Sequence, residues 1–147
     1  MLDLKINSME KEFVPIDESQ ELKELGFKEP VCGYYHKLGD KKQTVLNVAW
    51  INMNSNIKPS SSDYYISAPL YQQAFRWFRD VHNIDGWIVP FHSLDGKEWC
   101  YIIETESIED NLGTDDDYDT YEEAEIACIR VLIEIVKKKK ANEKTQL

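Results

Sequence analysis

The sequence predicts an α+β domain in which helices and β-hairpins alternate in the order α-ββ-α-ββ-α. Three segments combine helical periodicity with capping residues, and two pairs of apolar, aromatic-rich runs are each separated by a short turn sequence. Hairpins separated by helices along the chain form antiparallel sheets, and amphipathic helices cover such a sheet. We therefore expect one domain with an antiparallel sheet of four or more strands and helices packed mainly on one face.

The composition fits a single folded domain. The chain has 147 residues, of which 42% are hydrophobic and 30% are charged. No apolar run approaches the roughly 18 residues that span a bilayer, and the N-terminal residues lack the apolar core of a signal peptide. Three widely separated cysteines suit a reducing compartment. We expect a cytoplasmic protein with free thiols, no cofactor and no membrane contact.

The expected domain covers residues 13–139. Residues 1–12 are predicted to form a flexible N-terminal extension, and residues 104–119 an acidic loop within the domain. Residues 140–147 are predicted to form a basic C-terminal tail.

The net charge of −10 is unevenly distributed along the chain. Glu104–Glu125 contains eleven carboxylates and no basic residue, whereas five lysines and one glutamate follow from Lys137 to the end. Nonspecific binding to nucleic acid needs a broad basic surface. Direct nucleic-acid binding is therefore not expected.

The first helix is predicted at Glu18–Leu25. Asp17 can serve as its N-cap, with Gln20 as the capping-box partner. Gly26 follows as a left-handed C-terminal residue, and Phe27 can fold back onto the helix in a Schellman-type contact.

Two hairpins are predicted on either side of the second helix. The first joins Val31–His36 to Gln43–Ile51, and the second joins Trp87–His92 to Glu98–Thr105 through an Asp95-Gly96 turn. Between the first hairpin and the second helix, the sequence "YYIS" is interpreted as a brief extended piece.

The stretch "SAPLYQQAFRWFRD" predicts the second helix, capped by Ser67 or Ala68, with Pro69 in its first turn and an end near Asn83. On a helical projection, its apolar side chains fall within an arc of about 160° and its polar side chains occupy the opposite arc. The apolar group consists of Leu70, Tyr71, Ala74, Phe75, Trp77, Phe78 and Val81.

A stacking site for bases or sugars needs rings and cations on one accessible surface. In the second helix they lie on different faces, so the aromatic residues are interpreted as core. Tyr71 and Phe75 lie at the margin of the apolar arc and are candidates to line a ligand groove. Arg76 and Arg79 lie on the opposite face and are candidates for a partner surface.

The third helix is predicted to begin at Thr120, with Glu123 completing a capping box, and to run to about Lys139. Its apolar residues span about 220°, which is wider than one sheet face usually covers. Either this helix is wedged between the sheet and other helices, or it forms a homodimer through helix 120–139. In the second case Ile126 and Ile133 belong to the partner surface.

The acidic segment contains part of the pattern of a calcium-binding loop. Asp115, Asp117 and Asp119 have the alternating spacing with which an EF-hand loop begins, but the required Gly and the final Glu are missing. An irregular cation site at these aspartates and a solvated acidic loop remain alternative interpretations.

Other catalytic or metal-binding signatures are weak. Cys32, His36, His92 and Cys100 would form a Cys₂His₂ zinc site only if the two hairpins were neighbours, and the short Cys-x-x-Cys spacing of such sites is missing. The chain also lacks Gly-x-Ser-x-Gly, a Gly-rich phosphate loop and His-Glu-x-x-His. No catalytic residue is predicted.

Three segments carry a resemblance: "FVPIDESQELKELGFKEPVCGYY", "YYISAPLYQQAFRWFRD" and "TYEEAEIACIRVLIEIVKKK". Together, covering about half of the chain, they resemble a family of short uncharacterised proteins of phages and prophages of gut Bacteroidetes. Members of that family commonly begin near "KEFVP", which makes Met9 an alternative start. The resemblance implies a phage-related accessory protein and brings no functional residues with it.

Three hypotheses for the function follow. The first is a non-enzymatic phage or prophage accessory protein that binds another protein. The second is an acidic mimic of nucleic acid that inhibits a DNA-binding protein of the host. The third is a small metal-dependent enzyme that uses the acidic loop or the cysteines and histidines.

Overall fold

The computed structural model describes residues 9–37, 44–53, 64–106, 112–113 and 116–146. The helices with both ends in this part are α1 (Ile16–Leu25), α2 (Tyr71–His82) and α3 (Tyr121–Thr145). The strands are β1 (Val31–Lys37), β2 (Thr44–Met53), β3 (Tyr64–Ala68), β4 (Asp85–Ser93), β5 (Gly96–Glu104) and β6 (Leu112–Gly113). Helices and strands are interspersed, and each strand pair is antiparallel. The predicted α+β class is confirmed, and helices alternate with groups of strands as expected, but in this part of the chain each group contains three strands instead of two.

The chain divides into two compact units, residues 1–73 and 74–147, with the boundary inside α2. In the described residues the first unit has a sheet of order β2-β1-β3, and the second has a sheet of order β4-β5-β6. The strands therefore form two three-stranded sheets instead of the expected sheet of four or more strands.

In the first unit, β1 lies at the centre of the sheet. Tyr35 pairs with Leu46 of β2 on one side and with Ile66 of β3 on the other. The predicted first hairpin is thus present, and the segment interpreted as a brief extended piece is a third strand.

Helix α1 begins earlier than predicted. Pro15 is its N-cap and makes no side-chain capping bond, so the prediction of an Asp17 cap was wrong. The carbonyl of Val14 accepts hydrogen bonds from Ser19 Oγ at 2.9 Å and from the Tyr35 hydroxyl at 2.8 Å. These bonds hold the chain just before the helix, although they satisfy a carbonyl and not the free N–H groups that a capping side chain would satisfy.

The predicted end of α1 is confirmed. Gly26 has a φ of +105°, and the backbone N–H of Phe27 donates to the carbonyl of Leu22 at 2.9 Å. This is the Schellman arrangement, which a residue with a Cβ atom adopts only with strain.

The segment before α1 pairs with the segment before α2. Phe13 forms a β-bridge with Leu70, and the Val14 N–H donates to the Pro69 carbonyl at 2.9 Å. Among the residues of the first unit whose burial the structure describes, the buried apolar residues include Phe13, Val14, Leu22, Leu25, Phe27, Val31, Ile66, Ala68, Pro69 and Tyr71.

Helix α2 begins at Tyr71, later than predicted, because Ser67 and Ala68 belong to β3. The Leu70 N–H donates to the side-chain oxygen of Gln73 at 3.1 Å, which satisfies a free donor at the helix start. The predicted cap at Ser67 or Ala68 was therefore wrong, while the end at His82 agrees with the prediction to within one residue.

In the second unit, β4 and β5 form the predicted hairpin, but its turn residues are Leu94 and Asp95, one position earlier than the predicted Asp95-Gly96 turn. Ser93 pairs with Gly96 across the two-residue turn, and Gly96 has a φ of +142°. One face of the hairpin, which includes the buried Tyr101 and Ile103, packs against α3.

Helix α3 starts as predicted, with the Thr120–Glu123 capping box complete. It continues to Thr145, so most of the predicted basic tail is helical. Residues 137–145 contain no Gly or Pro and are rich in good helix formers, which explains the extension. No helix among the described residues is long and apolar enough to cross a membrane.

Candidate functional site

A groove of about 500 Å³ lies beside α3 in the second unit. It is bounded by α3, by strand β5 and by the segment that leads into α3. The residues that line it are Tyr101, Asp116, Tyr118, Glu123, Ile126, Ala127, Arg130 and Val131.

Tyr118 anchors one wall of the groove. Its backbone N–H and C=O exchange hydrogen bonds with those of Trp99 in β5, at 2.8 and 2.9 Å. Its ring stacks against that of Tyr101, with centroids 6.2 Å apart and planes 29° apart. The segment predicted to be a wholly solvated acidic loop therefore adds both β6 and this bridge to the sheet.

The opposite wall is the half-buried margin of α3. Cys128, Leu132 and other residues at the centre of its apolar arc are buried. Ile126 and Val131 are only half-buried, because the arc is wider than the surface that covers it. The small side chain of Ala127 between them leaves room for the groove.

Both acidic and basic side chains line the groove. Asp116, Glu123 and Arg130 are exposed. Glu123 is held in place because one of its carboxylate oxygens accepts a hydrogen bond from the Thr120 N–H at 3.2 Å. The groove thus combines apolar side chains with exposed acidic and basic groups.

The two residues predicted to line a ligand groove lie elsewhere. Tyr71 is only 6% exposed, so its side chain is buried and is not open to a ligand. Phe75 belongs to the second unit and is half-buried, near Gly86. Neither residue contributes to the groove beside α3.

The residues predicted to form a partner surface separate into two groups. Arg76 and Arg79 are exposed as expected, and Arg79 pairs with Asp80 at 3.0 Å. Ile126 lines the groove, whereas Ile133 is 1% exposed and has no surface to offer a partner.

The predicted cation site is only partly covered by the described residues. Asp115 lies outside them, and Asp117 and Asp119 are exposed. Among the residues that the structure describes, no group of three or more His, Cys, Asp or Glu side chains is arranged to hold a metal ion.

The proposed cysteine and histidine cluster does not fit the strand geometry. In the second unit His92 pairs with Lys97 and Cys100 pairs with Val89. Because successive side chains of a strand alternate between faces, His92 and Cys100 point to opposite sides of the hairpin. His36, in the first unit, stacks on Tyr65 with centroids 4.8 Å apart.

Burial shifts the pKa values of several described side chains of the second unit, including Cys100, Cys128 and His82. Burial, assisted by Glu125, raises the pKa of the Cys128 thiol to about 12, which leaves it protonated and unreactive at neutral pH. Burial, followed by Lys140 and Lys139, lowers the pKa of His82 below its usual 6.5, while Glu143 opposes the shift. None of these three residues lines the groove.

The hairpin face that points away from α3 carries exposed apolar side chains. Trp87 is 37% exposed, Phe91 is 45% exposed, and Leu94 at the turn is fully exposed. Pro90 lies in β4, at the edge of the described sheet, and has no N–H to offer a further strand.

Comparison with known proteins gives no match: no family model, curated protein or solved structure corresponds to this chain. The groove beside α3 is therefore the basis for the functional proposal.

Proposed function

We propose that this protein is a non-enzymatic protein-binding module and that the groove beside α3 is its binding site. The observation that supports this proposal is the combination of apolar and charged groups in one groove of about 500 Å³. Interface centres are typically apolar and rich in Tyr and Arg, with polar groups around them.

The lining residues suggest the chemistry of the bound segment. Ile126, Ala127 and Val131 would contact an apolar side chain of the partner. Asp116 and Glu123 would lie near a basic side chain, and a basic side chain placed over Tyr118 would also gain a cation–π contact. We therefore propose a partner segment that carries a Lys or Arg beside an apolar residue.

The resemblance to phage and prophage proteins suggests where to look for the partner. We propose that the chain is a phage-related accessory protein and that its partner is a protein of the bacterial host or of the phage. An acidic mimic of nucleic acid is a special case of this proposal. Its partner would be a DNA-binding protein, and duplex DNA would compete with this chain for that protein.

Site-specific photo-crosslinking tests the proposal. A photoreactive residue is placed at Ala127 in the groove or at Ala141, an exposed position farther along α3. We expect a covalent adduct with a partner protein from position 127 and much less from position 141. Equal adducts from both positions, or no adduct from 127, would contradict the proposed site.

A further inference from the structure

We infer that the groove also receives α3 of a second copy of this chain, packed antiparallel to the first, so that self-association and binding of another partner exclude each other. This inference rests on the proposed function, because it assigns an occupant to the same groove. Two properties of α3 carry it: the polarity of its charge and the positions of its half-buried apolar residues.

Helix α3 is acidic at its start and basic towards its end. Glu122 and Glu123 lie in its first turn, and Asp119 precedes it. Residues 137–140 are four consecutive lysines, of which Lys138 and Lys139 are exposed. In an antiparallel pair, the basic part of each helix lies against the acidic part of the other. The two helix dipoles are then antiparallel, which is favourable.

The stripe of α3 between Glu123 and Lys138 has its midpoint next to Arg130. A twofold axis there brings the two Arg130 side chains near each other, each about one helical turn from the exposed Glu134 of the other copy. Glu123 and Lys138 lie at nearly equal distances along the helix on either side of Arg130. In an antiparallel pair, Glu123 of one copy therefore faces Lys138 of the other. Because the interface is isologous, this charge pair forms twice.

Ala127 and Val131 lie between these charged residues and supply the apolar contact. Both line the groove, and both are half-buried in the single chain. The small side chain of Ala127 allows a second helix to approach closely. Exposed ion pairs contribute little individually, so we expect a weak dimer that dissociates as salt is added.

A charge-swap series measured by sedimentation equilibrium tests this arrangement. The full chain is compared with Lys138→Glu, Glu123→Lys and the combined variant at low and high salt. We expect each single variant to weaken association by about tenfold and the combined variant to restore it, because the charges face each other again. Glu123→Lys also removes the capping carboxylate. If it weakened association for that reason alone, adding Lys138→Glu would not restore association.

Lys28→Glu and Glu29→Lys serve as matched controls. Both positions are exposed in the first unit, and these variants change the net charge by the same amounts as the two test variants. We expect them to leave association unchanged. A strictly monomeric protein, or a combined variant that stays as weak as the single variants, would overturn the inference.

The crosslinking and sedimentation results separate the two proposals. A monomeric protein whose position 127 crosslinks to a different protein overturns the dimer and supports the proposed function. Conversely, the inferred dimer is supported if association depends on the swapped charges and position 127 crosslinks only to a second copy. That result would count against binding of a different protein in the groove.

Discussion

The contact between Gly33 and Phe13 determines how closely β1 approaches the segment that precedes α1. A Cβ atom at Gly33 would lie 2.6 Å from Phe13 Cε1 and 3.3 Å from the Ala68 carbonyl oxygen. Phe13 is itself buried, so its ring has little room to move. Glycine at this position is required by packing and not by a positive φ, which Gly33 does not have.

We expect Gly33→Ala to lower the free energy of unfolding by about 1–3 kcal/mol, because it overpacks a closed core. Urea unfolding followed by circular dichroism measures the change. The double variant Gly33→Ala/Phe13→Leu should lose less than the sum of the two single variants. Simple additivity would show that the clash with Phe13 is not the cause.

Gly86 provides a matched comparison in the second unit. A Cβ atom there would lie 3.0 Å from Cys128 Sγ and 3.1 Å from Leu132 Cδ1, which are ends of side chains. These ends can shift by a few tenths of an ångström, so Gly86→Ala should destabilise the protein less than Gly33→Ala. The reverse order would contradict this interpretation of the two sites.

His82 should make stability depend on pH. Its ring lies 4.6 Å from that of Trp77 between centroids, and its buried Nε2 has no hydrogen-bond partner. Because burial and nearby lysines lower its pKa below 6.5 in the folded state, the unfolded state binds the proton more readily. The stabilisation from neutral His82 is thus complete above about pH 6.5 and is lost as the pH falls through the folded-state pKa.

We expect His82→Gln to remove this part of the pH dependence. The difference in unfolding free energy between wild type and variant should shrink from pH 7.5 to pH 5, as measured by urea titrations at both ends. A difference independent of pH would show that His82 does not titrate in this range.

At the scale of elements, the start of α3 shapes one side of the groove. The Thr120 hydroxyl accepts the Glu123 N–H at 3.2 Å, and the Glu123 carboxylate accepts the Thr120 N–H. We expect Thr120→Ala to cost about 1 kcal/mol of unfolding free energy. Thr120→Ser keeps the hydroxyl and should lose much less; equal losses in thermal denaturation would contradict a capping role.

Elements with local signals could be predicted from the sequence. The Thr120–Glu123 capping box, the Gly26 helix end and both hairpins depend on residues close together in the chain. The start of α1 could not be predicted, because a hydrogen bond from the distant Tyr35 to Val14 helps to hold it. The third strand of the first sheet likewise depends on pairing with β1.

The helical projection correctly predicts which side chains are buried in the middle of α2, but not in its last turn. Ala74, Trp77 and Phe78 are buried, and Arg76 is exposed, as periodicity predicts. Val81 falls in the predicted apolar arc but is 57% exposed. It lies in the last turn of α2, and a projection cannot show where the covering surface ends.

At the scale of the whole molecule, only the α3 side of the groove could be predicted from the sequence. The unusually wide apolar arc of α3 includes Ile126 and Val131. Tyr101 and Tyr118 could not be associated with it, because their stacking depends on the bridge between Trp99 and Tyr118. Tyr118 also stands among aspartates, a context typical of a solvated loop.

The most direct test of the proposed site is to fill the groove and measure binding. Once crosslinking has identified a partner, its affinity is compared for wild type, Ala127→Trp and Ala141→Trp by calorimetry, with melting temperatures confirming that all three are folded. We predict that Ala127→Trp weakens binding at least about tenfold, since one displaced apolar contact has about this effect, while Ala141→Trp binds like wild type. Unchanged affinity in a folded Ala127→Trp variant would contradict the assignment of the groove as the binding site.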